Sequence, residues 1–524
     1  MAVRGEDTAG GTAGGTARET AERERPGAGG VDRLKADSVG LVGVVFMALA
    51  TAAPITAMTG NLPIVVGQGN GVGAPAAYIV ATVVLTVFSV GYVAMARHIT
   101  AAGAFYGYVS HGLGRVAGLS SGLLAVLAYV VTEAAVLGFF AFSLRGLARS
   151  QLGVELGWGW YALSGAVVIG VAGWFDLQLT ARVLGVALVL EIGVLGAVSL
   201  AVLFSGGGPD GIVAEAVNPL NALKGVGSSG ISAAGLGLFF AFWSWVGFES
   251  TAMYGEESRD PKRVVPRATL VSVIGVGLFY VFVSWMIVSG NGVGHAIAVA
   301  SGGVPGKDGN SLFFDPLGAH LGAWAVKVFQ WLVVTGSFAC AMAFHQCAAR
   351  YLYAIGREGL LHPALGRTHP RYGSPHVASV VQSVIAVGLV AAFLAAGMDP
   401  YAHLYTLLAL LGTMAILVVQ TLCSFAVVGY FHVRRRHPET AHWFRTLVAP
   451  LVGGVAMAGV VALLVLNKDA AAGAAAHTLL FRLIPYLVIG VFAGGTALAL
   501  AVRRWRPGLY ARMGRIVLED TVER

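Results

Sequence analysis

Residues 239–257 read FFAFWSWVGFESTAMYGEE. As far as Val246 the run is apolar and aromatic, the composition of a helix lying in lipid. Gly247 is then followed by Glu249 and Ser250, poor choices for the centre of a lipid-facing helix. Toward the N-terminus, residues 49–60 read LATAAPITAMTG. Pro54 removes a backbone donor and its ring clashes with the preceding turn, so a helix here breaks near Thr51–Thr56. Paired interruptions in corresponding spans of two halves mark the binding site of a carrier. Two ordinary kinked helices are the competing reading, because Pro and Gly are common in bilayer helices.

The rest of the chain supports a membrane setting. Of its 524 residues 56% are hydrophobic and 11% charged, whereas a soluble domain carries about 25% charged residues. A bilayer span needs roughly 20 apolar residues, and twelve such blocks occur, near 38–66, 75–96, 116–144, 159–175, 183–205, 231–254, 268–290, 318–354, 376–397, 402–432, 446–466 and 477–502. In lipid each segment satisfies its own backbone, so the blocks are predicted to be helices and the fold an all-α integral membrane one. Residues 1–34 contain no apolar run and are expected to form a disordered tail rather than a cleaved signal. Cys340, Cys347 and Cys423 fall inside predicted spans and read as buried small hydrophobes.

The net charge of +8 is distributed by side. With alternate loops assigned to opposite faces and both tails set aside, Lys and Arg number 15 on the N-terminal side and 7 on the other. The positive-inside rule therefore predicts that both termini are cytoplasmic in a multi-pass protein of the cell membrane. The interrupted spans, first and sixth, are five apart, and an odd offset starts the second copy from the opposite face. The expected organisation is spans 1–5 over residues 35–205, an inverted copy in spans 6–10 over 206–432, spans 11–12 over 433–503, and a cytoplasmic tail over 504–524.

Three segments carry a family resemblance. GFESTAMYGEESRDPKRVVPRAT, residues 247–269, resembles the span-6 signature of the amino acid–polyamine–organocation permease superfamily. AARYLYAIGREGLLHPALGRTHPRYGSPHVA, residues 348–378, is similar to its span-8 exit, and GAFYGYVSHGLGRVAGLSSG, residues 103–122, to its stretch between spans 2 and 3. The resemblance implies a LeuT-type 5+5 inverted repeat with two extra helices, alternating access, and an amino acid, polyamine or other amine as cargo. Span 1 departs from the pattern. Many members have a Gly-Ser-Gly-like break where this chain has Thr51, Ala52, Ala53, Pro54, Ile55 and Thr56, so the substrate contacts of other members do not transfer to it.

Other motifs fail on context. GVGSSG at 225–230 matches G-x-G-x-x-G but lacks a preceding strand. Around Lys307, Ser301 and Asp308 stand where a phosphate loop needs Gly and Ser or Thr. No H-E-x-x-H motif and no basic-aromatic patch occurs. An enzyme, a metal site, a cofactor and a nucleic-acid partner are accordingly not expected.

The expected substrate site comprises Thr51–Thr56 from the first break with Trp243, Val246, Gly247, Phe248, Glu249 and Ser250 from the second. Half-helix N-termini there can meet a carboxylate, and carbonyl ends an ammonium. Trp243 resembles an aromatic that covers substrate in some members; a packing role competes. Glu133, Glu191, Glu249 and His345 are ionisable groups within spans and candidates for proton coupling. Glu191 aligns with a position that in some members carries a lysine linked to proton coupling, and Glu249 with a candidate proton sensor. Structural roles compete at all four: a buried hydrogen bond for Glu133, Glu191 and His345, a helix cap for Glu249. Thr335 and Ser337 offer oxygen ligands for sodium instead, and Glu256, Glu257, Arg263 and Arg267 a charge network bracing the end of span 6. The expected function is a secondary carrier of a small amino acid, coupled to protons. A polyamine or amino-alcohol carrier, an exchanger and a non-transporting sensor are the rivals. The oligomeric state is not legible.

Overall fold

A computed structural model describes residues 40–99, 103–174, 177–227, 230–466, 475 and 477–514, without the side chains of 177–184, 187 and 230–232. The tail expected over 1–34, and residues 515–524 of the other tail, lie outside the described residues. Apart from one isolated bridge between Gly208 and Gly211, every regular element among the described residues is helical. The helices are α1 (Leu41–Ala52), α2 (Pro54–Ile64), α3 (Ala74–Ala96), α4 (Ala104–Gly112), α5 (Arg115–Leu147), α6 (Trp158–Ala172), α7 (Leu177–Phe204), α8 (Gly230–Trp243) and α9 (Pro261–Asn291). They continue with α10 (Val293–Ala300), α11 (Ser311–His320), α12 (Ala323–Arg357), α13 (His376–Ala395), α14 (Thr406–Val428), α15 (Ala449–Leu466), α16 (Leu479–Trp505) and α17 (Pro507–Arg512).

Among the described residues, nine helical runs are long and apolar enough to cross a membrane. The other three blocks expected to span coincide with α6, with α7, whose described apolar part is Leu188–Phe204, and with α8 plus the short 3-10 helix Phe248–Glu257. Val167, Val384, Leu278 and Val455 are each at least 60% exposed. Apolar surface on this scale requires lipid around it. α5 and α14 are the most enclosed spans and α16 the most outward-facing. The three cysteines are buried and unbonded to one another.

Both predicted interruptions are present. α1 stops at Ala52, and Ala53 adopts a left-handed conformation with φ 40° and ψ 79°. A non-glycine residue there costs about 1–3 kcal/mol. α2 then opens on Pro54, at the one helical position where the missing N–H is harmless and the fixed φ is already right. The second break starts after Trp243, and Gly247, at φ 114°, turns the chain into the 3-10 helix. A Cβ on Gly247 would lie 2.7 Å from Thr51 Cβ and 3.0 Å from its carbonyl carbon. Only glycine lets the two breaks touch.

The far end of the 3-10 helix is clamped to α12. Arg350 donates to both carboxylate oxygens of Glu257 at 3.0 and 3.1 Å, with the pair buried and the guanidinium 4.8 Å from the Tyr254 ring centre. Arg357 holds Glu256 in the same way at 3.0 and 2.8 Å. The sequence suggested that these acids belong with Arg263 and Arg267. They pair instead with α12, while Arg263 faces Asp260 at 3.7 Å. α12 supplies the bidentate partners because Arg350 and Arg357 lie two turns apart on it, facing Glu257 and Glu256.

Candidate functional site

The touching breaks enclose a cavity of about 20 Å³, room for about one water molecule. Of the residues expected to form the site, Thr51, Ala52, Thr56, Trp243 and Val246 line it. Ala53, Pro54, Ile55, Gly247, Phe248, Glu249 and Ser250 do not line it. The hydroxyls of Thr56 and Ser250 are buried and have no hydrogen-bond partner.

Six lining residues escaped the sequence reading. Asn61 donates to Ser244 Oγ at 2.9 Å and accepts from the Tyr405 hydroxyl at 2.7 Å, tying α2 to the second break and to the start of α14. It is the only amide side chain in residues 41–66, a signal that was available. Ala57, Val136, Cys340, Phe344 and Tyr405 complete the lining. They are apolar or aromatic residues within apolar helices and carry no local signal.

Trp243 does not stand alone. Its ring packs 4.6 Å from that of Tyr405, which stacks on Tyr401 at 5.4 Å, which stacks on Phe142 at 5.0 Å. Phe142 borders a separate opening of about 450 Å³ that is also edged by Arg145, Arg149, Asp308 and Asp399. Four rings thus link that opening to the cavity.

None of the candidate carboxyls lines the cavity. Glu191, on α7, accepts the Ile55 N–H at 3.5 Å, the first free amide after Pro54. A Cβ on Gly336 of α12 would come within 2.7 Å of Glu191 Oε1, so that glycine makes room for the carboxyl. Glu191 therefore touches both the first break and α12. Glu249 accepts the Gly247 N–H at 3.1 Å and the Tyr129 hydroxyl at 2.7 Å, and the Tyr92 hydroxyl donates to its carbonyl at 2.9 Å. Its carboxyl caps the break. Glu133 and His345 meet at 3.1 Å, with Gln382 donating to Glu133 at 2.5 Å and Ser379 2.8 Å from the other ring nitrogen. That buried network joins α5, α12 and α13, away from the cavity. Thr335 and Ser337 do not converge. Thr335 is exposed and bonds to its own helix at Trp331 O, while Ser337 is buried and bonds to Val334 O.

The sequence that builds this site has relatives among known proteins. Over 428 residues, covering 77% of this chain and 82% of the relative, the sequence is 23% identical to the branched-chain amino acid permease BcaP of Bacillus subtilis (strain 168). Residues 40–493 match the amino acid permease family, a match that includes both breaks, Glu191, α12 and the cavity. The chain therefore belongs to the amino acid permeases of the amino acid–polyamine–organocation superfamily, which are membrane-embedded secondary transporters of amino acids.

Proposed function

We propose that this carrier moves a neutral amino acid with a short aliphatic side chain by alternating access, with proton coupling. The observation that carries the reading is the contact of Gly247 with Thr51, which brings two helix breaks to one cavity. Backbone amides and carbonyls freed at the breaks suit the carboxylate and ammonium common to all amino acids. Val136, Val246, Cys340 and Phe344 supply the apolar part of the lining, and among the described residues no carboxylate or cation joins them. The buried carboxyls Glu133, Glu191, Glu249 and Glu257 are engaged elsewhere, which disfavours a polyamine. The relative BcaP is a branched-chain amino acid permease, which points the same way.

The cavity is too small for an amino acid and is closed on both sides, the state between the two open ones. The four-ring ladder closes one side. The Arg350–Glu257 and Arg357–Glu256 pairs close the other, which the Lys and Arg asymmetry makes cytoplasmic, with both termini on that side. The same reading has twelve spans in a LeuT-type 5+5 inverted repeat, divided at residues 35–205 and 206–432 with spans 11–12 added over 433–503. A membrane-impermeant maleimide outside intact cells should leave a cysteine placed in either tail unlabelled; labelling of either tail refutes this topology.

The test is uptake of radiolabelled amino acids into proteoliposomes. Valine, leucine, isoleucine and alanine should be accumulated, and the decarboxylated amines should not compete. Equal competition by the amine would replace this reading with an amine carrier. Arg350→Met examines the gate. It removes both Arg350 hydrogen bonds from the buried Glu257 carboxylate, a loss of about 3–5 kcal/mol, and so destabilises the closed inner gate. Binding should persist while net accumulation falls at least tenfold and substrate leaks through. Accumulation equal to the parent's excludes the pair as a gate.

A further inference from the structure

At the ends of α3, α9 and α14 a groove of about 350 Å³ opens on the outer surface of the bundle, remote from the cavity. Its floor is apolar, formed by Val90 and Ala94 of α3, Leu270 of α9, and Phe431. Its rim holds Arg97 and Arg445. Both guanidiniums are exposed, and among the described residues neither has an ion pair or side-chain hydrogen bond. Packing brings the two arginines together although they are far apart in sequence. A Cβ on Gly91 of α3 would meet Pro450 Cγ at 2.6 Å, and one on Gly453 of α15 would meet Phe88 at 3.1 Å, so α3 and α15 run in close contact. That contact carries the segment before α15, with Arg445, onto the end of α3.

Among the described residues, no carboxylate lines the groove. His98, also on the rim, is 3.1 Å from Thr440 Oγ1 and stacks on His437 at 4.2 Å. Burial, followed by the neighbouring His437, pulls His98 down to about 4, so it is neutral at pH 7. Glu439 is engaged by His437 at 2.9 Å and does not line the groove. Two cations therefore stand on the rim above an apolar floor.

The level in the membrane is marked independently. Trp443 is 68% exposed and Phe444 42%, immediately before Arg445. An exposed tryptophan close to a cation marks the headgroup region, where its amphipathic ring has one apolar and one wet side. Basic pockets between membrane helices bind anionic headgroups. We infer that this groove is a binding site for an anionic phospholipid, with the headgroup phosphate between Arg97 and Arg445 and an acyl chain along Val90, Ala94 and Leu270. The inference is independent of what the carrier moves.

The test uses the purified full-length protein in nanodiscs of phosphatidylcholine doped with spin-labelled phosphatidylglycerol, reading the immobilised fraction and its preference over spin-labelled phosphatidylcholine. The parent should prefer phosphatidylglycerol. Arg97→Gln and Arg445→Gln should each reduce that preference roughly fivefold, while Arg371→Gln, on an exposed loop outside the groove, should not. Leu270→Trp fills the floor and keeps both charges; it should also lower retention. Millimolar inorganic phosphate should not displace the lipid. Equal preference in the parent and in the double arginine variant overturns the site. Unchanged retention in Leu270→Trp overturns the placement of the chain. Displacement by phosphate reassigns the rim to a free anion and overturns the lipid.

Discussion

Gly247→Ala is expected to abolish uptake by a carrier that still inserts and folds. Two costs combine. At φ 114° a side chain is strained whatever space it has, worth about 1–3 kcal/mol. The new Cβ also lies 2.7 Å from Thr51 Cβ and 3.0 Å from the Thr51 carbonyl carbon. The second of these is backbone, which cannot rotate away, so the breaks must separate or distort, an overpacking cost of about 1–3 kcal/mol. Either outcome spoils the cavity whose walls are Thr51, Thr56 and Val246. Substrate affinity should fall at least tenfold, read as a change in Kd by equilibrium binding on protein of unaltered elution profile. Gly275→Ala is the control. It lies on α9 with open space around the position of its Cβ, and it should leave affinity unchanged. If Gly247→Ala binds substrate like the parent, the breaks are structural kinks and the substrate sits elsewhere.

Glu191→Gln is expected to retain exchange and lose accumulation driven by a pH gradient. The argument begins with the contacts of the carboxyl: the Ile55 N–H on one side and Gly336 on the other. Ile55 belongs to the first break, so movement of α1 and α2 away from α12 would remove that N–H and admit water. An ionised carboxyl is costly when buried and cheap when hydrated. Its proton occupancy is thereby tied to whether the break is packed against α7 and α12. Glutamine keeps the shape and can still accept from the Ile55 N–H, but it cannot exchange a proton. One pH unit is worth about 1.4 kcal/mol, a tenfold accumulation for one proton per substrate. The parent should approach tenfold for each imposed pH unit in sodium-free proteoliposomes, and Glu191→Gln should stop at equal concentrations inside and out. Counterflow of preloaded substrate should remain within a few-fold of the parent. Parent-like accumulation by Glu191→Gln rules out the coupling role. If neither protein accumulates until sodium is added, the carrier is sodium-driven and Glu191 is a structural contact.

What the sequence by itself determined was the solvent of the chain and the position of its breaks. Low charge and long apolar blocks require lipid, and lipid requires helices, because each span must satisfy its own backbone. Pro54 and Gly247 act through local sterics, so their effect on the helix was legible without knowing their neighbours. The family resemblance was legible for a similar reason, since the span-6 and span-8 segments are contiguous strings. Tertiary structure decided everything that depends on which faces meet. That the breaks touch follows from the packing of Gly247 on Thr51. Asn61, Phe344 and Tyr405 enter the cavity wall because α2, α12 and the turn leading into α14 converge there, and an apolar residue in an apolar helix does not advertise which side it faces. The candidate ionisable groups separated in the same way. Glu191 joined the first break, Glu249 capped the second, and Glu133 met His345 in a network of its own. Depth in the membrane could be read from position along a span, but partnership could not, because residues over a hundred positions apart become neighbours only when the helices pack.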